Sequence, residues 1–275
     1  MKDIVENRKR ITWASKLKLA ATALRENGPV WCTLLLTYYA TSSVADRAFK
    51  ALDRVRRARG LPGLNSATLN KAIWEAWDWS ARGDEWTQSP ASKQALIRGV
   101  LQREIAPDQD ILEIGPGAGR WTGSLLERAR RYIGVDISAT CADLCRKRFG
   151  QDGRATFFVG SGRDLAAVED HSIDAIWSYD VFVHINVAEV ASYIGEFWRV
   201  LRPGAVAVIH HGAVGGAAGG WRSNLTAEDL QKLVTSRGLS LEKSLDHWDD
   251  AGTAYSLTYG DRIAVIRKPV SAPGA

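Results

Sequence analysis

The chain has 275 residues, of which 45% are hydrophobic and 24% are charged, a composition that suits a folded core and excludes a disordered chain. Its three cysteines are too few, and odd in number, for a disulfide framework. The longest apolar run, residues 30–40, is too short to span a bilayer. The first ten residues lack the apolar segment of a secretory signal, so we expect a cytoplasmic protein.

Residues 1–65 are predicted to form a basic helical extension in which Gly28-Pro29 interrupts the helix and residues 60–63 form a linker. Residues 1–60 contain 13 Lys and Arg against 5 Asp and Glu, whereas the whole chain has a net charge of +5. This surplus indicates either a peripheral contact with a membrane or another anionic surface, or a solvated basic face, which is the simpler interpretation. We expect no nucleic-acid partner, and a homodimer is compatible with the sequence.

Residues 66–275 are predicted to form the main domain. A helical stretch over residues 66–81 is followed by a helix that begins at Ser89-Pro90, a good capping pair. Beyond it, strand-like and helix-like segments alternate. The predicted strands are 111–114, 132–136, 155–159, 174–178 and 205–210, and the predicted helices are 119–130, 139–148, 188–200 and one that ends near Ser236. This alternation predicts an α/β fold: a Rossmann-like, doubly wound, mainly parallel sheet with helices on both faces.

The most informative motif is the glycine-rich turn after the first predicted strand. Gly115, Gly117 and Gly119 are spaced two apart, and Asp136 ends the next strand 21 positions after Gly115. Glycines let a ligand approach the backbone closely, and a carboxylate at this spacing can bind the two hydroxyls of a ribose. A dinucleotide site has the different spacing G-x-G-x-x-G, which makes an NAD enzyme the last alternative. Glu113 at the strand end repels phosphates and suits a ligand that bears an ammonium and a sulfonium.

From about Ser92 to Lys268 the chain resembles the class I S-adenosylmethionine-dependent methyltransferases. Besides the glycine-rich turn, residues 170–178 resemble the approach to that family's fourth strand, and residues 199–209 resemble its turn into the fifth. The resemblance implies a seven-stranded sheet closed by an antiparallel pair, with S-adenosylmethionine as cofactor. The cofactor-binding residues that it implies are Glu113, Gly115, Gly117, Gly119, Trp121, Asp136, Ile137, Ser161, Gly162, Arg163 and Tyr179.

The adenine end departs from the family's common pattern. Many members have Gly-Asp after the third strand, where this chain has Gly160-Ser161. Asp164, or backbone groups at Gly162 and Arg163, would then replace the missing carboxylate.

Candidate catalytic residues follow the fourth and fifth strands, because ligands of open parallel sheets bind beyond the carboxyl ends of the strands. His184 is the first candidate for a general base, and its alternative is a histidine that only hydrogen-bonds a neighbouring loop. His210 and His211 point to opposite faces, and we favour His211 for the catalytic side. Asp180 is expected to contact the cofactor or to orient a histidine. No metal is expected, since no set of residues has metal-ligand spacing.

The acceptor site is predicted near the glycine-rich segment 212–220, where Trp221, Arg222 and His210 are candidate substrate-binding residues. An aromatic face binds sugar rings, and a guanidinium binds carboxylate or phosphate. Residues 182–184, 208–211 and 220–223 look like those of bacterial sugar O-methyltransferases that act on polysaccharide precursors. That resemblance implies a hydroxyl of a small-molecule or glycan acceptor. The alternatives are a methyltransferase for a natural-product phenol or amine, one for RNA, and a non-catalytic cofactor-binding subunit.

Overall fold

The computed structural model describes residues 13–61, 65–215 and 222–270. The chain forms two compact units, Met1–Leu61 and Pro62–Ala275, so the division falls just before the predicted one at residue 65. Trp221 and residues 216–220 lie outside the described part. Within the described residues, no helix is both long and apolar enough to cross a membrane.

The first unit contains one long helix, α1 (Trp13–Arg59). Gly28 interrupts it with φ 78° and ψ 171°, and Pro29 follows immediately. A left-handed φ suits glycine, and proline cannot donate the hydrogen bond that would continue the helix. The predicted break between two helices therefore occurs at Gly28-Pro29.

The second unit alternates helices and strands. Its helices are α2 (Ala67–Ala76), α3 (Pro90–Leu96), α4 (Thr122–Leu126), α5 (Ala139–Phe149), α6 (Val187–Val200) and α7 (Ala227–Ser236). Two single turns, Trp79–Ala81 and Asp84–Trp86, lie between α2 and α3, and a π-helical turn, Ile97–Leu101, with a last turn, Gln102–Glu104, extends α3. Its strands are β1 (Gln109–Ile114), β2 (Ala129–Asp136), β3 (Ala155–Val159), β4 (Ile173–Phe182), β5 (Leu201–His211), β6 (Ser240–Leu245), β7 (His247–Asp250), β8 (Thr253–Ser256) and β9 (Arg262–Arg267).

Seven of these strands form one sheet in the order β3-β2-β1-β4-β5-β9-β6. The first five are parallel, and β9 runs antiparallel between β5 and β6. Buried apolar side chains cover both faces, with Phe182 and Phe197 in one cluster and Tyr132 and Trp177 in the other. The predicted Rossmann-like fold with a seven-stranded sheet is confirmed. The strand order reverses between β1 and β4, which is where folds of this kind bind ligands.

One predicted helix is shorter than expected, and the last part of the chain has more strands than expected. The helix expected over 119–130 is the short α4, because β2 begins at Ala129, which pairs with Gln109 of β1 and is buried. Pairing with the sheet therefore overrides the helical propensity of this segment. The last part of the chain, where two strands were expected, also contains the separate hairpin β7–β8.

Candidate functional site

A cavity of about 880 Å³ opens at the carboxyl ends of β1, β2, β4 and β5. Residues from α2, from the two single turns after it and from the segment after β8 complete the wall. Its size falls in the range of small-molecule and cofactor sites, and its position is the topological switch point of the sheet.

The glycine-rich turn forms one side of this cavity. Gly115 has φ 69° and donates its N–H to the carbonyl of Val135 at 2.8 Å. Gly117 has φ 57°, and a Cβ there would lie 3.0 Å from the ring of Trp79. Both glycines line the cavity, whereas the side of Gly119 that a Cβ would occupy faces Phe149 and Arg148. The first two predicted glycines therefore border the ligand space, and the third packs inside the fold.

Asp136 ends β2 at the cavity and is 6% exposed. One carboxylate oxygen accepts the N–H of Gly117 at 3.0 Å, and the other accepts the N–H of Ser138 at 2.9 Å. Burial raises the pKa of Asp136, while these backbone donors lower it in part. Asp136 thus fixes the glycine-rich turn, and each of its oxygens has a further lone pair with which to accept a hydroxyl.

Glu113 does not line the cavity. Its side chain is buried, and it accepts hydrogen bonds from Thr122 Oγ1 at 2.7 Å and from the Tyr132 hydroxyl at 2.5 Å. Burial raises the pKa of Glu113 to about 7. The interpretation of Glu113 as a partner for a cationic ligand needs correction, because these two hydroxyls hold its carboxyl group away from the cavity.

At the predicted adenine end, Gly160, Gly162 and Ile137 line the cavity, whereas Ser161 and Arg163 do not. Ser161 Oγ donates to Asp164 Oδ2 at 2.6 Å. The guanidinium of Arg163 lies 3.9 Å from Glu189 Oε1. Main-chain groups and the Ile137 side chain, rather than a carboxylate, therefore border this end.

The predicted aromatic residues Trp121 and Tyr179 both line the cavity, with ring centroids 5.0 Å apart. The ring of Tyr179 also stacks on His210 at 4.3 Å. Burial raises the pKa of Tyr179, so its phenol stays neutral.

His184 follows β4 and lines the cavity. Its ring meets the ring of Trp74 edge to face at a centroid distance of 5.6 Å. Its backbone carbonyl accepts a hydrogen bond from Asn70 Nδ2 at 2.9 Å, which ties the loop after β4 to α2. The imidazole is thus held at the cavity wall by an aromatic contact and a fixed backbone.

The expectation that His211 would face the catalytic side was wrong. His210 lines the cavity, whereas His211 points to the opposite face, is 1% exposed and has Nδ1 2.9 Å from the carbonyl of Gly212. Burial lowers the pKa of His211 to about 4. Adjacent residues of a strand point to opposite faces, and only the face with His210 is open here.

Asp180 orients His210 rather than His184. Its carboxylate lies 2.9 Å from His210 Nδ1 and 2.6 Å from Arg120 Nη1. Asp180 has φ 62°, at a point where the pairing of β4 with β5 shifts register. A left-handed φ in a non-glycine residue is uncommon, and here it marks the position where the strand directs a carboxylate along the cavity wall.

Five charged side chains form an alternating series, which we call the charge chain: Arg120, Asp180, His210, Asp261 and Arg222. Beyond Asp180, His210 Nε2 lies 3.5 Å from Asp261 Oδ2, and Arg222 Nη1 lies 3.1 Å from the same oxygen. Burial alone would raise the pKa of Asp180, but His210 and Arg120 hold it well below its usual range. Burial alone would lower the pKa of His210, but Asp180 and Asp261 raise it above 6.5.

The predicted site residues do not include a cluster of tryptophans that we call the tryptophan wall: Trp74, Trp77, Trp79 and Trp86. The ring of Trp74 lies within 6.0 Å of the other three by ring centroids, and all four line the cavity. Trp79 Nε1 donates to the carbonyl of Trp74 at 3.0 Å. The available signal was the density of tryptophan in residues 74–86. Arg120 and Asp261 were also missed, and neither belongs to a recognisable motif.

Residues 112–209 match the family described as a methyltransferase domain. Over these residues the chain is therefore similar to a methyltransferase domain. S-adenosylmethionine is the cofactor of such domains, and Gly115, Gly117 and Asp136 border the cavity that would hold it.

Individual relatives agree with this family. The methyltransferase domain is similar to ribosomal RNA small subunit methyltransferase A of Synechococcus sp., with 33% identity over 26% of this chain and 27% of that protein. It is also similar to a probable S-adenosylmethionine-dependent methyltransferase of Mycolicibacterium smegmatis, with 27% identity over 53% of this chain and 58% of that one. The matches thus span 27% and 58% of the length of these two relatives.

Among solved structures, a chain in the complex of the Haloferax volcanii Trm112 methyltransferase activator with a methyltransferase has the same fold. The TM-score is 0.56 at 19% identity, over 71% of this chain and 97% of that chain. An identity this low supports the fold of the methyltransferase domain and nothing finer.

Proposed function

We propose that this chain transfers a methyl group from S-adenosylmethionine to a hydroxyl of a sugar or glycan precursor, with His184 as the general base. The observation that carries the proposal is that the glycine-rich turn, Asp136 and His184 all border one cavity. The cofactor supplies an electrophilic methyl group. The chain must hold an acceptor oxygen in line with it and take the proton that this oxygen loses.

The two histidines that line the cavity, His184 and His210, differ in how readily they can accept that proton. His210 has carboxylates near both ring nitrogens, and they raise its pKa, which favours the protonated ring. A protonated ring cannot accept a second proton, so His210 is a poor resting base. His184 also lines the cavity, where its ring contacts Trp74 edge to face, and this position supports it for the role.

The tryptophan wall supports a ring-shaped acceptor. Trp77 and Trp86 are each 40% exposed, and they stand at the wall beside His184 and Trp74. Aromatic faces pack well against the apolar faces of sugar rings. A phenolic natural product would use the same surface.

The test is transfer of labelled methyl from S-adenosylmethionine into fractionated extract of the source organism by wild-type protein and two variants. His184→Ala should lower turnover by roughly 10² while leaving cofactor affinity unchanged, since it removes only the base. His247→Ala changes an exposed histidine outside the cavity and should retain full activity. Label in the glycan fraction supports the proposal.

Other outcomes would redirect the proposal. Label confined to aromatic or amine metabolites would replace the acceptor class. Label in RNA would favour a second candidate, ribosomal RNA methylation, which the similarity to the Synechococcus enzyme supports. Full activity of His184→Ala would exclude His184 as the base.

A further inference from the structure

The order of the strands distinguishes the two ends of the cavity, one beside β2 and the other beside β5 and β9. Asp136 ends β2 and Gly115 follows β1, and these residues would hold the cofactor on that side of the sheet. The acceptor would then occupy the remaining end of the cavity, beside β5 and β9. The side chains that border this far end are His210, at the end of β5, and Arg222, Thr258 and Tyr259. An acceptor therefore meets Arg222 rather than Asp136.

Arg222 is held in place from three directions. Its backbone carbonyl accepts a hydrogen bond from the buried Asn65 at 2.7 Å. Its guanidinium lies 3.1 Å from Asp261 Oδ2 and 4.4 Å above the ring of Tyr259. The side chain is 16% exposed and borders the cavity, so its position is set before any ligand binds.

The net charge of the charge chain at this wall depends on His210. When His210 is protonated between its two carboxylates, the series holds three positive groups and two negative ones, and when it is neutral these charges balance. A largely buried excess charge is costly unless an ion of opposite sign approaches it. The cofactor cannot be that ion, because its carboxylate and ammonium cancel and its sulfonium adds a positive charge.

We propose that the acceptor carries an anionic group, a carboxylate or a phosphate, and that Arg222 binds this group at the far end of the cavity. This inference rests on the proposed function, because it names the chemistry of the same acceptor. The fork of a guanidinium matches two oxygens of either group, and both donors are charge-assisted. Arg120 lies at the opposite end of the charge chain, next to the glycine-rich turn and the cofactor.

The experiment measures calorimetric binding of three matched sugars to the full chain saturated with S-adenosylhomocysteine: glucose, glucuronate and glucose 6-phosphate. We expect at least one of the anionic sugars to bind about tenfold or more tightly than glucose. The one preferred identifies the group as carboxylate or phosphate. Arg222→Gln should reduce its affinity to that of glucose, and Arg222→Lys should retain part of the preference, because it keeps the charge but not the fork.

The matched control is Arg103→Gln, which changes an exposed arginine outside the cavity and should leave every affinity within twofold. The proposal is overturned if neither anionic sugar binds better than glucose, or if Arg222→Gln keeps the preference. A wild-type protein that does not bind S-adenosylhomocysteine would instead overturn the proposed function.

A pH series gives an independent readout. The charged or titratable groups around His210 are Asp180 and Tyr179 of β4, Asp261 before β9 and Arg222, while its chain neighbour His211 points to the opposite face. Raising the pH through the elevated pKa of His210 deprotonates the ring and removes the excess positive charge. Affinity for the anionic sugar should then fall while affinity for glucose stays constant. Equal pH dependence for the two sugars would contradict the charge argument.

Discussion

Asp136 performs two tasks with one carboxylate. It accepts the backbone N–H groups of Gly117 and Ser138, and its position at the cavity makes it the expected partner of the cofactor's ribose hydroxyls. Asp136→Ala should therefore weaken S-adenosylmethionine binding by roughly 10- to 100-fold, the usual cost of losing hydrogen bonds to a charged group. Calorimetric titration measures the loss.

Asp152→Asn is the control for Asp136→Ala, since Asp152 pairs with Arg154 at the surface. It should bind the cofactor as wild type does. Unchanged affinity in Asp136→Ala would show that the ribose lies elsewhere.

Glu113 makes stability depend on pH. Its pKa is about 7 in the folded protein against an ordinary 4.5, so the unfolded chain releases this proton at lower pH than the folded one. The free energy of unfolding should fall as pH rises from about 4.5 to 7. Glu113→Gln can still accept both hydroxyl hydrogen bonds but carries no charge.

Urea denaturation from pH 4.5 to 7.5 measures this contribution. Glu113→Gln should flatten the slope and be more stable than wild type at pH 7.5, by up to about 3 kcal/mol. Glu127→Gln, at an exposed position, should keep the wild-type slope. If the free energy of unfolding changed with pH in the same way in wild type and Glu113→Gln, ionisation of Glu113 would not affect the stability of the folded protein.

The hairpin β7–β8 is the element that closes the cavity next to α3. Arg98 and Asp250 pair through two hydrogen bonds, at 3.1 and 2.5 Å, and Gln88 donates to the carbonyl of Ser256 at 3.2 Å. Trp248 of β7 borders the cavity and lies against Gly99, where a Cβ would be 2.9 Å from its ring. The absence of a side chain at Gly99 therefore sets the position of Trp248.

Gly99→Ala should destabilise the protein by about 1–3 kcal/mol, the usual cost of overpacking, and should raise the KM for the acceptor by moving Trp248. Gly123→Ala is the matched control, because no atom lies within 4 Å of a Cβ there and alanine favours its helix. Chemical denaturation and steady-state kinetics measure both effects. If the Gly99→Ala protein were as stable as Gly123→Ala, the hairpin would be able to move aside for the added methyl group without loss of stability.

The start of a helix can be predicted from the sequence when it depends on residues that are close together along the chain. The start of α3 follows from the predicted cap Ser89, whose side chain accepts the backbone N–H of Ser92, and Thr226 caps the start of α7 in the same way. The start of β2 could not be predicted in this way, since it depends on pairing with β1. The same holds for the open face of β5, since His210 meets Asp261, which lies far along the chain.

At the scale of the whole molecule, the chain divides into two units after Leu61, and residues 62–275 form a compact unit by themselves. The sheet, the cavity and both of its clusters of buried side chains belong to this second unit. A protein truncated to residues 62–275 should therefore stay folded, with less helical circular dichroism because α1 is absent, and bind S-adenosylmethionine within about threefold of the full chain. Loss of cofactor binding on truncation would assign α1 a part in the site.

The residues at the end of the cavity beside β1 and β2 were easier to predict from the sequence than those at the end beside β5 and β9. Gly115 and Asp136 stand at spacings imposed by a strand, a turn and a helix, so one short segment suffices to place them. The charge chain joins side chains from four separate segments, and the tryptophan wall depends on two irregular turns. Neither has a periodicity that can be read along the chain.

The position of the indoles has a practical consequence. Among the tryptophans that the structure describes, six border the cavity: Trp74, Trp77, Trp79, Trp86, Trp121 and Trp248. Indole emission shifts and dims when a neighbouring molecule displaces water or stacks on the ring. A large share of the ultraviolet fluorescence of this protein therefore arises where its ligands bind. Ligand binding in the cavity can therefore be followed in real time by the intrinsic tryptophan fluorescence of the unlabelled protein.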